Sequence, residues 1–180
     1  MTTVHTVGHG TLAADALASL VEEAGVELVV DIRAYPGSRR HPHFGREAMQ
    51  AWLPAAGVEY VWLPALGGRR RPVPSSQHVA LRNDAFRAYA DHMETAGFVA
   101  GVDDLLAYAE HRSLAVMCSE SVWWRCHRRL LADHLVLVRD VEVLHLMHDG
   151  RRTPHQPTAG ARLAGAMVAY DVGADRPLPG

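Results

Sequence analysis

Both cysteines of this 180-residue chain lie in one short polar segment that follows an apolar run. Glu120 comes two positions after Cys118, and Cys126, His127 and Arg128 come eight to ten positions after it. A thiol placed where a strand meets a helix has its thiolate stabilised by the helix dipole and by nearby arginines. The segment therefore predicts Cys118 as a nucleophile or redox thiol, with Glu120 and His127 as further catalytic residues. The alternative is a small buried side chain at a strand end, where free cysteines are common.

The same residue types are metal ligands, so the segment also suggests a metal centre. Cys118, Cys126 and His127 are candidate ligands for zinc or iron, and His9 or Glu120 could provide a fourth. A separation of eight residues between the cysteines is not a zinc-finger spacing. A disulfide between the two cysteines is also conceivable, and in a cytoplasm it would be redox-sensitive rather than structural.

A candidate for proton transfer lies near the start of the chain. His9 stands between Gly8 and Gly10 directly after a short apolar run, a pattern typical of a tight turn from a strand into a helix. A histidine in such a turn has little packing role, and its ordinary pKa suits acid–base catalysis near neutral pH. We expect His9 to be the general acid or base, oriented by Asp31 or Glu120.

The cations apart from histidine are all arginines, eighteen in number, and the chain has no lysine. This composition excludes a Schiff-base lysine and a P-loop lysine. Planar guanidinium groups suit bidentate contacts to phosphate or carboxylate. Polar residues near predicted strand ends are therefore candidates for binding an anionic ligand: Arg33, Ser38, Arg39, Arg40, Gly67, Gly68, Arg69, Ser119 and Arg128. The alternative is a solvated arginine surface.

The apolar periodicity around these residues predicts an alternating β/α chain. Nearly continuous apolar runs indicate strands at residues 4–7, 26–32, 58–63, 114–117 and 141–147. Helical spacing indicates helices near residues 12–24, 46–56, 83–93, 101–110 and 121–138. This alternation predicts a Rossmann-like, three-layer α/β/α fold with a mostly parallel sheet of about five strands.

Parallel strands place their carboxyl ends at one edge of the sheet, where α/β proteins bind ligands. His9, Asp31, Arg69 and Cys118 all come shortly after predicted strands. We therefore expect these four segments to meet in one site, the alternative being unrelated loop charges. The predicted ligand is an anionic small molecule, such as a nucleotide, or a nucleic-acid component.

Length and composition predict one α/β domain over residues 1–150, followed by a C-terminal extension over 151–180. The extension reads as a linker and, at 161–168, a segment that could form a short helix. The net charge of −2 does not favour a polycation that would coat nucleic acid or membrane. With two cysteines, no signal-peptide pattern and no membrane-length apolar run, we expect a cytoplasmic protein without membrane partners.

Five ordered segments carry a family resemblance: TVGHG at 6–10, VVDIRAYPGSRRHPHF at 29–44, GVEYVWLPALGGRR at 57–70, CSESVWWRCHRRLLADHL at 118–135 and VEVLHLMHDG at 141–150. Over residues 1–150 the chain resembles the family named domain of unknown function 488. The resemblance implies a small α/β domain and brings no settled activity. It implies functional roles for His9, Asp31, Arg33, Ser38, Arg39, Phe44, Gly67, Gly68, Cys118, Glu120, Cys126, His127 and Arg128. The chain departs from the family at His41, where members often have asparagine.

These residues support three hypotheses. The first is an enzyme for an anionic, phosphate-bearing ligand, in which His9 transfers a proton and Cys118 is a nucleophile or redox thiol. Phe44 joins its ligand-binding set through the resemblance. The second is a module that binds a nucleotide or nucleic acid without chemistry. The third is an iron or zinc protein.

Overall fold

A six-stranded sheet forms the centre of the protein, whose computed structural model describes residues 1–171. The strands are β1 Thr3–Gly8, β2 Leu28–Asp31, β3 Glu59–Trp62, β4 Leu114–Cys118, β5 Glu142–Leu146 and β6 Arg152–Pro154. Their order is β3-β2-β4-β1-β5-β6, in which the first five strands are parallel and β6 is antiparallel to β5. The predicted mostly parallel α/β sheet is confirmed.

Helices cover both faces of this sheet: α1 Ala14–Glu23, α2 Arg46–Ala55, α3 Asp84–His92, α4 Ala96–Ala109 and α5 Arg128–Arg139. Side chains of α1 and α2 share one hydrophobic core with Val29, and those of α3, α4 and α5 share the other with Val30. The two valines divide in this way because successive side chains of a strand point to opposite faces. Among the helices of residues 1–171, none is both long and apolar enough to cross a membrane.

The helix after β4 begins later than predicted, at Arg128 instead of residue 121. Residues 119–127 form a loop that contains one 3₁₀ turn, Trp123–Arg125. The backbone continues past β4 in contact with β1, because the Ser119 carbonyl accepts a hydrogen bond from the Gly10 N–H at 3.0 Å. The chain must then turn back before a helix can start. As a result Cys126, and not Cys118, lies beside the helix N-terminus.

The start of α4 also differs from the prediction, since this helix begins at Ala96 rather than near residue 101. The Thr95 side chain caps it by accepting a hydrogen bond from the Phe98 N–H at 3.2 Å. Gly97 therefore lies in the first helical turn instead of separating two helices, because the cap outweighs the low helix propensity of one glycine.

The part of the expected extension that the structure describes, residues 151–171, contains strands rather than a linker and a helix. β6 joins the main sheet, and β7 Arg162–Ala164 pairs with β8 Met167–Ala169 where the short helix was expected. The turn between β7 and β8 has two residues and begins with Gly165 at a φ of +64°. Glycine at positive φ favours such a hairpin turn. Residues 172–180 of the expected extension lie outside the described residues.

Gly8, at the end of β1, gives a test of how tightly the strand ends pack. A Cβ at this position would lie 1.7 Å from the carbonyl oxygen of Glu120, whereas a Cβ at Gly37 would meet nothing within 4 Å. We expect Gly8→Ala to lower the free energy of unfolding by about 3 kcal/mol, because backbone would have to move, and Gly37→Ala by well under 1 kcal/mol. Urea denaturation measures both, and equal effects would contradict this packing.

Candidate functional site

Three neighbouring strand ends form the floor of a cleft. The N–H groups of His9 and Gly10 donate to the carbonyls of Cys118 and Ser119, both at 3.0 Å, and the Ile32 N–H donates to β4 from the other side at 3.0 Å. The ends of β1, β4 and β2 are therefore tied together by backbone. The cleft above them has a volume of about 740 Å³, which is within the range of small-molecule sites.

Most residues predicted from the sequence line this cleft: His9, Arg33, Ser38, Arg39, Arg40, Gly68, Arg69, Cys118, Ser119, Glu120, Cys126 and His127. Asp31, Phe44, Gly67 and Arg128 are buried and do not line it. The cleft also includes Tyr35 and Arg125, two exposed side chains at its mouth.

A buried ion pair fixes Arg33. Its Nε and Nη2 donate to the two carboxylate oxygens of Asp31 at 2.9 and 2.6 Å, and Nη2 also donates to the Phe44 carbonyl at 2.7 Å. The Tyr60 hydroxyl donates to the same carboxylate. Asp31 is fully buried, so it holds Arg33 and reaches His9 only through that arginine.

His9 is a neutral ring with both nitrogens engaged. Because a guanidinium only donates, Nε2 of His9 accepts from Arg33 Nη1 at 3.2 Å, and Nδ1 donates to the Gly10 carbonyl at 2.9 Å. Burial is the main reason why the pKa of His9 falls to about 4; the Gly10 carbonyl acts to raise it, and the charge of Arg33 lowers it further. The ring must therefore leave Arg33 before it can accept a proton.

Phe44 and Gly67, both predicted to contact ligand, are buried and pack behind the cleft lining. The Phe44 ring stacks on His9 with 4.1 Å between ring centroids and is fully buried. A Cβ at Gly67 would lie 2.9 Å from the Ala34 nitrogen, and a Cβ at Gly68 would lie 2.9 Å from Nδ1 of His127. Small or flat groups at these positions let the cleft walls approach each other closely.

The two cysteines are in contact with each other in the lining of the cleft. Both are free, and their sulfur atoms lie 2.6 Å apart. Burial raises the pKa of Cys118 well above its ordinary value, and the hydrogen bond to Cys126 raises it further. Burial also acts to raise the pKa of Cys126, but the hydrogen bond from Cys118 and the charges of His127 and Arg128 lower it well below its ordinary value.

Of the two thiols, Cys126 is the one whose pKa is lowered, whereas the sequence predicts the thiolate at Cys118. Cys126 lies two residues before α5, and the Arg128 N–H approaches its sulfur at 3.5 Å. Helix N-termini stabilise thiolates. A thiolate next to a thiol can act as a nucleophile with an adjacent proton donor. The same pair is a dithiol that a two-electron oxidation would convert to a disulfide.

Arg128 interacts with both cysteines and is 1 % exposed. Its Nη2 donates to the Glu120 carbonyl at 2.6 Å and its Nη1 to the Thr6 hydroxyl at 3.3 Å. Among residues 1–171 no carboxylate forms an ion pair with it. The Glu120 side chain is exposed, so the catalytic carboxylate predicted here contributes its backbone to the buried site.

The mouth of the cleft is positively charged. Arg39, Arg40, Arg69 and Arg125 are exposed lining residues without an ion pair to any carboxylate of residues 1–171. Glu120 supplies the one carboxylate of the lining. Ser38 shapes this wall, since its Oγ accepts a hydrogen bond from the backbone of the same loop at 2.9 Å.

The zinc or iron centre suggested by the sequence has no ligand set among the described residues. Within residues 1–171 no group of three or more His, Cys, Asp or Glu side chains is placed to hold a metal ion.

Thr6 and Tyr60 contact site residues but are not predicted from the sequence. Each is a polar residue within a strand that forms a hydrogen bond with a buried charged group. The Thr6 hydroxyl accepts from Arg128, and the Tyr60 hydroxyl donates to Asp31. The available signal was a hydroxyl within a mostly apolar strand. Such a hydroxyl needs a buried partner, although the sequence does not say which.

Acid is expected to destabilise the fold through His9. The pKa of His9 is about 4 in the folded protein against an ordinary 6.5. As pH falls below 6.5 the unfolded chain therefore binds a proton at His9 before the folded protein does, and the free energy of unfolding decreases. Between pH 7 and pH 4 we expect the free energy of unfolding to fall by about 2 to 3 kcal/mol more in the wild type than in His9→Gln. Urea denaturation at both pH values measures this; equal falls would mean that His9 is not a buried neutral base.

Comparison with known proteins adds the family. The family model named Domain of unknown function DUF488 matches residues 13–135, more than half of the chain. Among curated proteins and among solved structures, none matches the chain. The matched range contains Asp31, Arg33, both cysteines and Arg128. The chain belongs to the DUF488 family.

Proposed function

We propose that this protein is a cysteine-dependent enzyme that binds a phosphate-bearing anion, such as a nucleotide or a nucleic-acid end, with Cys126 as its nucleophile. The observation that carries the proposal is the buried Arg128 guanidinium beside two free thiols and without a carboxylate partner among residues 1–171. A buried charge is costly unless it is paired. A Cys126 thiolate provides the pairing charge.

Ligand chemistry is suggested by the cleft mouth. Four exposed arginines without ion pairs, together with the fixed Arg33, surround a space that carries one carboxylate. Arginine suits bidentate phosphate recognition. The concentration of positive charge is local, since the whole chain has a net charge of −2.

The proposed chemical step conserves charge at the buried arginine. The Cys126 thiolate attacks an electrophilic atom of the ligand, a bond from sulfur to that atom forms, and the bond from that atom to the leaving group breaks. The leaving group departs with the electron pair and takes the proton of the Cys118 thiol. Arg128 then faces a Cys118 thiolate instead of a Cys126 thiolate. Water reverses the exchange, since it releases the ligand as its hydroxyl derivative and returns its second proton to Cys118.

His127 and Arg33 would contact the ligand in this scheme. Nε2 of His127 is buried and has no hydrogen-bond partner among residues 1–171, and its Nδ1 lies 3.5 Å from the Cys126 sulfur. Arg33 uses one Nη1 hydrogen for His9. His9 keeps its predicted role in proton transfer only for a state in which Arg33 has moved to the ligand.

Thiol reactivity tests the nucleophile. We expect iodoacetamide at pH 6 to modify Cys126 about tenfold or more faster than free cysteine, because a thiol of lowered pKa is more ionised there. Cys118→Ser retains a hydroxyl donor and is expected to keep the fast reaction, whereas Cys126→Ser is expected to abolish it. Peptide mass spectrometry assigns the site. A faster reaction at Cys118, or no reaction at either cysteine below pH 9, would contradict the assignment.

Nucleotide binding tests the arginine mouth. The probe is a fluorescent trinucleotide with a 5′-phosphate, compared with the same trinucleotide ending in a 5′-hydroxyl. We expect the phosphate to bind about tenfold tighter. The Arg39→Gln/Arg40→Gln double variant is expected to lose about tenfold in affinity, with a salt slope lower by about 1.4, because single strands contribute about 0.7 per phosphate contact.

A matched control removes the same charge elsewhere. Arg112 pairs with Glu59 and Arg139 pairs with Asp103, at the opposite edge of the sheet from the cleft. Arg112→Gln/Arg139→Gln is expected to bind the phosphorylated trinucleotide as the wild type does. Equal losses in both double variants would mean that net charge alone attracts the probe.

A binding module without chemistry is the second candidate, and the same arginine mouth favours it. The two differ in what Cys126→Ser does. For an enzyme, the wild type converts a bound ligand and the variant binds without converting it. Binding that depends on Arg39 and Arg40, together with iodoacetamide reactivity no faster than free cysteine, would favour the module.

A further inference from the structure

A series of buried hydrogen bonds leads from Arg128, at the start of α5, to Asp133 on the same helix. The Thr6 hydroxyl contacts Nδ1 of His145 at 2.7 Å, and Nε2 of His145 contacts Nδ1 of His155 at 3.0 Å. Nε2 of His155 contacts the Asp133 carboxylate at 2.8 Å. All four of these side chains are buried. They lie outside the cleft lining, so none of them touches a ligand there.

The direction of each hydrogen bond follows from the two ends. Arg128 can only donate to the Thr6 oxygen, and the Thr6 hydrogen then has His145 as its acceptor among residues 1–171. The Asp133 carboxylate accepts from Nε2 of His155. Both rings are therefore neutral with hydrogen on Nε2, and every donor points toward Asp133. Burial is the main reason why the pKa of His145 falls to about 2, and the charge of Arg128 also lowers it.

Residues near the C-terminus hold the carboxylate end. The Tyr170 hydroxyl donates to Asp133 at 2.7 Å and the Thr158 N–H donates to it at 2.8 Å. Trp123, in the loop between the cysteines, stacks on His145 with 4.2 Å between centroids and 5° between planes. The hydrogen-bond chain thus lies under the loop that carries the thiols.

We propose that Thr6, His145, His155 and Asp133 are positioning residues that hold Arg128 against Cys118 and Cys126 and so keep the nucleophile ionised. The inference rests on the proposed function of the same site. Four buried polar side chains are not needed for stability, because a protein with apolar residues of similar volume in their place is often equally or more stable. Together these four side chains fix the position of the Arg128 guanidinium, and the Asp133 carboxylate ends the series of hydrogen bonds.

Other groups also face the Cys126 sulfur and are unchanged in the test. They are Cys118 from β4, His127 from the loop before α5, Arg128 from α5, and Tyr89 from α3. A change in Cys126 reactivity caused by a Thr6 substitution therefore reports on the placement of Arg128.

The experiment measures the pH profile of Cys126 alkylation by iodoacetamide in the full chain. Thr6→Val removes the hydroxyl and is expected to slow alkylation about tenfold at pH 6, equivalent to about one pKa unit, with equal rates at high pH. Thr6→Ser keeps the hydroxyl and is expected to stay within twofold of the wild type. An unchanged profile in Thr6→Val would overturn the proposal.

Tyr170→Phe is the control for a merely structural role. It removes a hydrogen bond to Asp133 without interrupting the chain to Arg128. We expect a lower midpoint of thermal unfolding and an unchanged alkylation profile. A profile shifted as far as in Thr6→Val would overturn the proposal, since general destabilisation would then explain both.

A measurement on the wild type keeps the proposal testable even if Thr6→Val does not fold. Long-range ¹H–¹⁵N NMR spectra are expected to show His145 and His155 neutral with hydrogen on Nε2. A protonated ring, or hydrogen on Nδ1 of either, would reverse the hydrogen bonds and overturn the proposal. If the proposed function is wrong, the result differs: Cys126 of the wild type would itself be alkylated no faster than free cysteine.

Discussion

The burial of one guanidinium organises this protein. Arg128 stands at the start of α5 and reaches the backbone of Glu120, the hydroxyl of Thr6 and the neighbourhood of both thiols. A cation in that position must be satisfied, and the surrounding elements do this in different ways. The loop after β4 contributes a carbonyl and β1 contributes a hydroxyl, and in the proposed function Cys126 contributes a negative charge. The Glu120 carbonyl belongs to the loop between Cys118 and α5, so Arg128 holds that loop at one point.

The arginines around the cleft fall into two groups with different consequences. Arg33 is fixed by Asp31, by the Phe44 carbonyl and by His9, so its position is set before any ligand arrives. Arg39 and Arg40 are exposed and have no carboxylate partner within residues 1–171. Fixed groups give geometry, because little entropy is lost when they bind. The exposed arginines at the mouth attract anions electrostatically, and salt weakens that attraction by screening.

The segment from 151 to 171 is part of the support for the site. His155, Thr158 and Tyr170 all contact Asp133, which lies on the helix that begins at Arg128. β6 extends the central sheet beyond β5. The residues that carry the proposed chemistry, at 118–128, and residues that support their surroundings, at 155–170, therefore come from separate parts of the described chain.

The sequence by itself determined the layered fold and the edge of the sheet where the site lies. Apolar periodicity is a local property, and the carboxyl ends of parallel strands share one edge whatever their order, so His9 and Cys118 could be placed together. The tertiary structure alone decided which thiol meets the helix N-terminus, since that depends on how nine loop residues turn back after β4. It also decided that Asp31 holds Arg33 and that Thr6 meets His145, 139 positions away. A polar side chain within an apolar strand signals in the sequence only that it needs a partner, because the partner is chosen by the packing of distant elements.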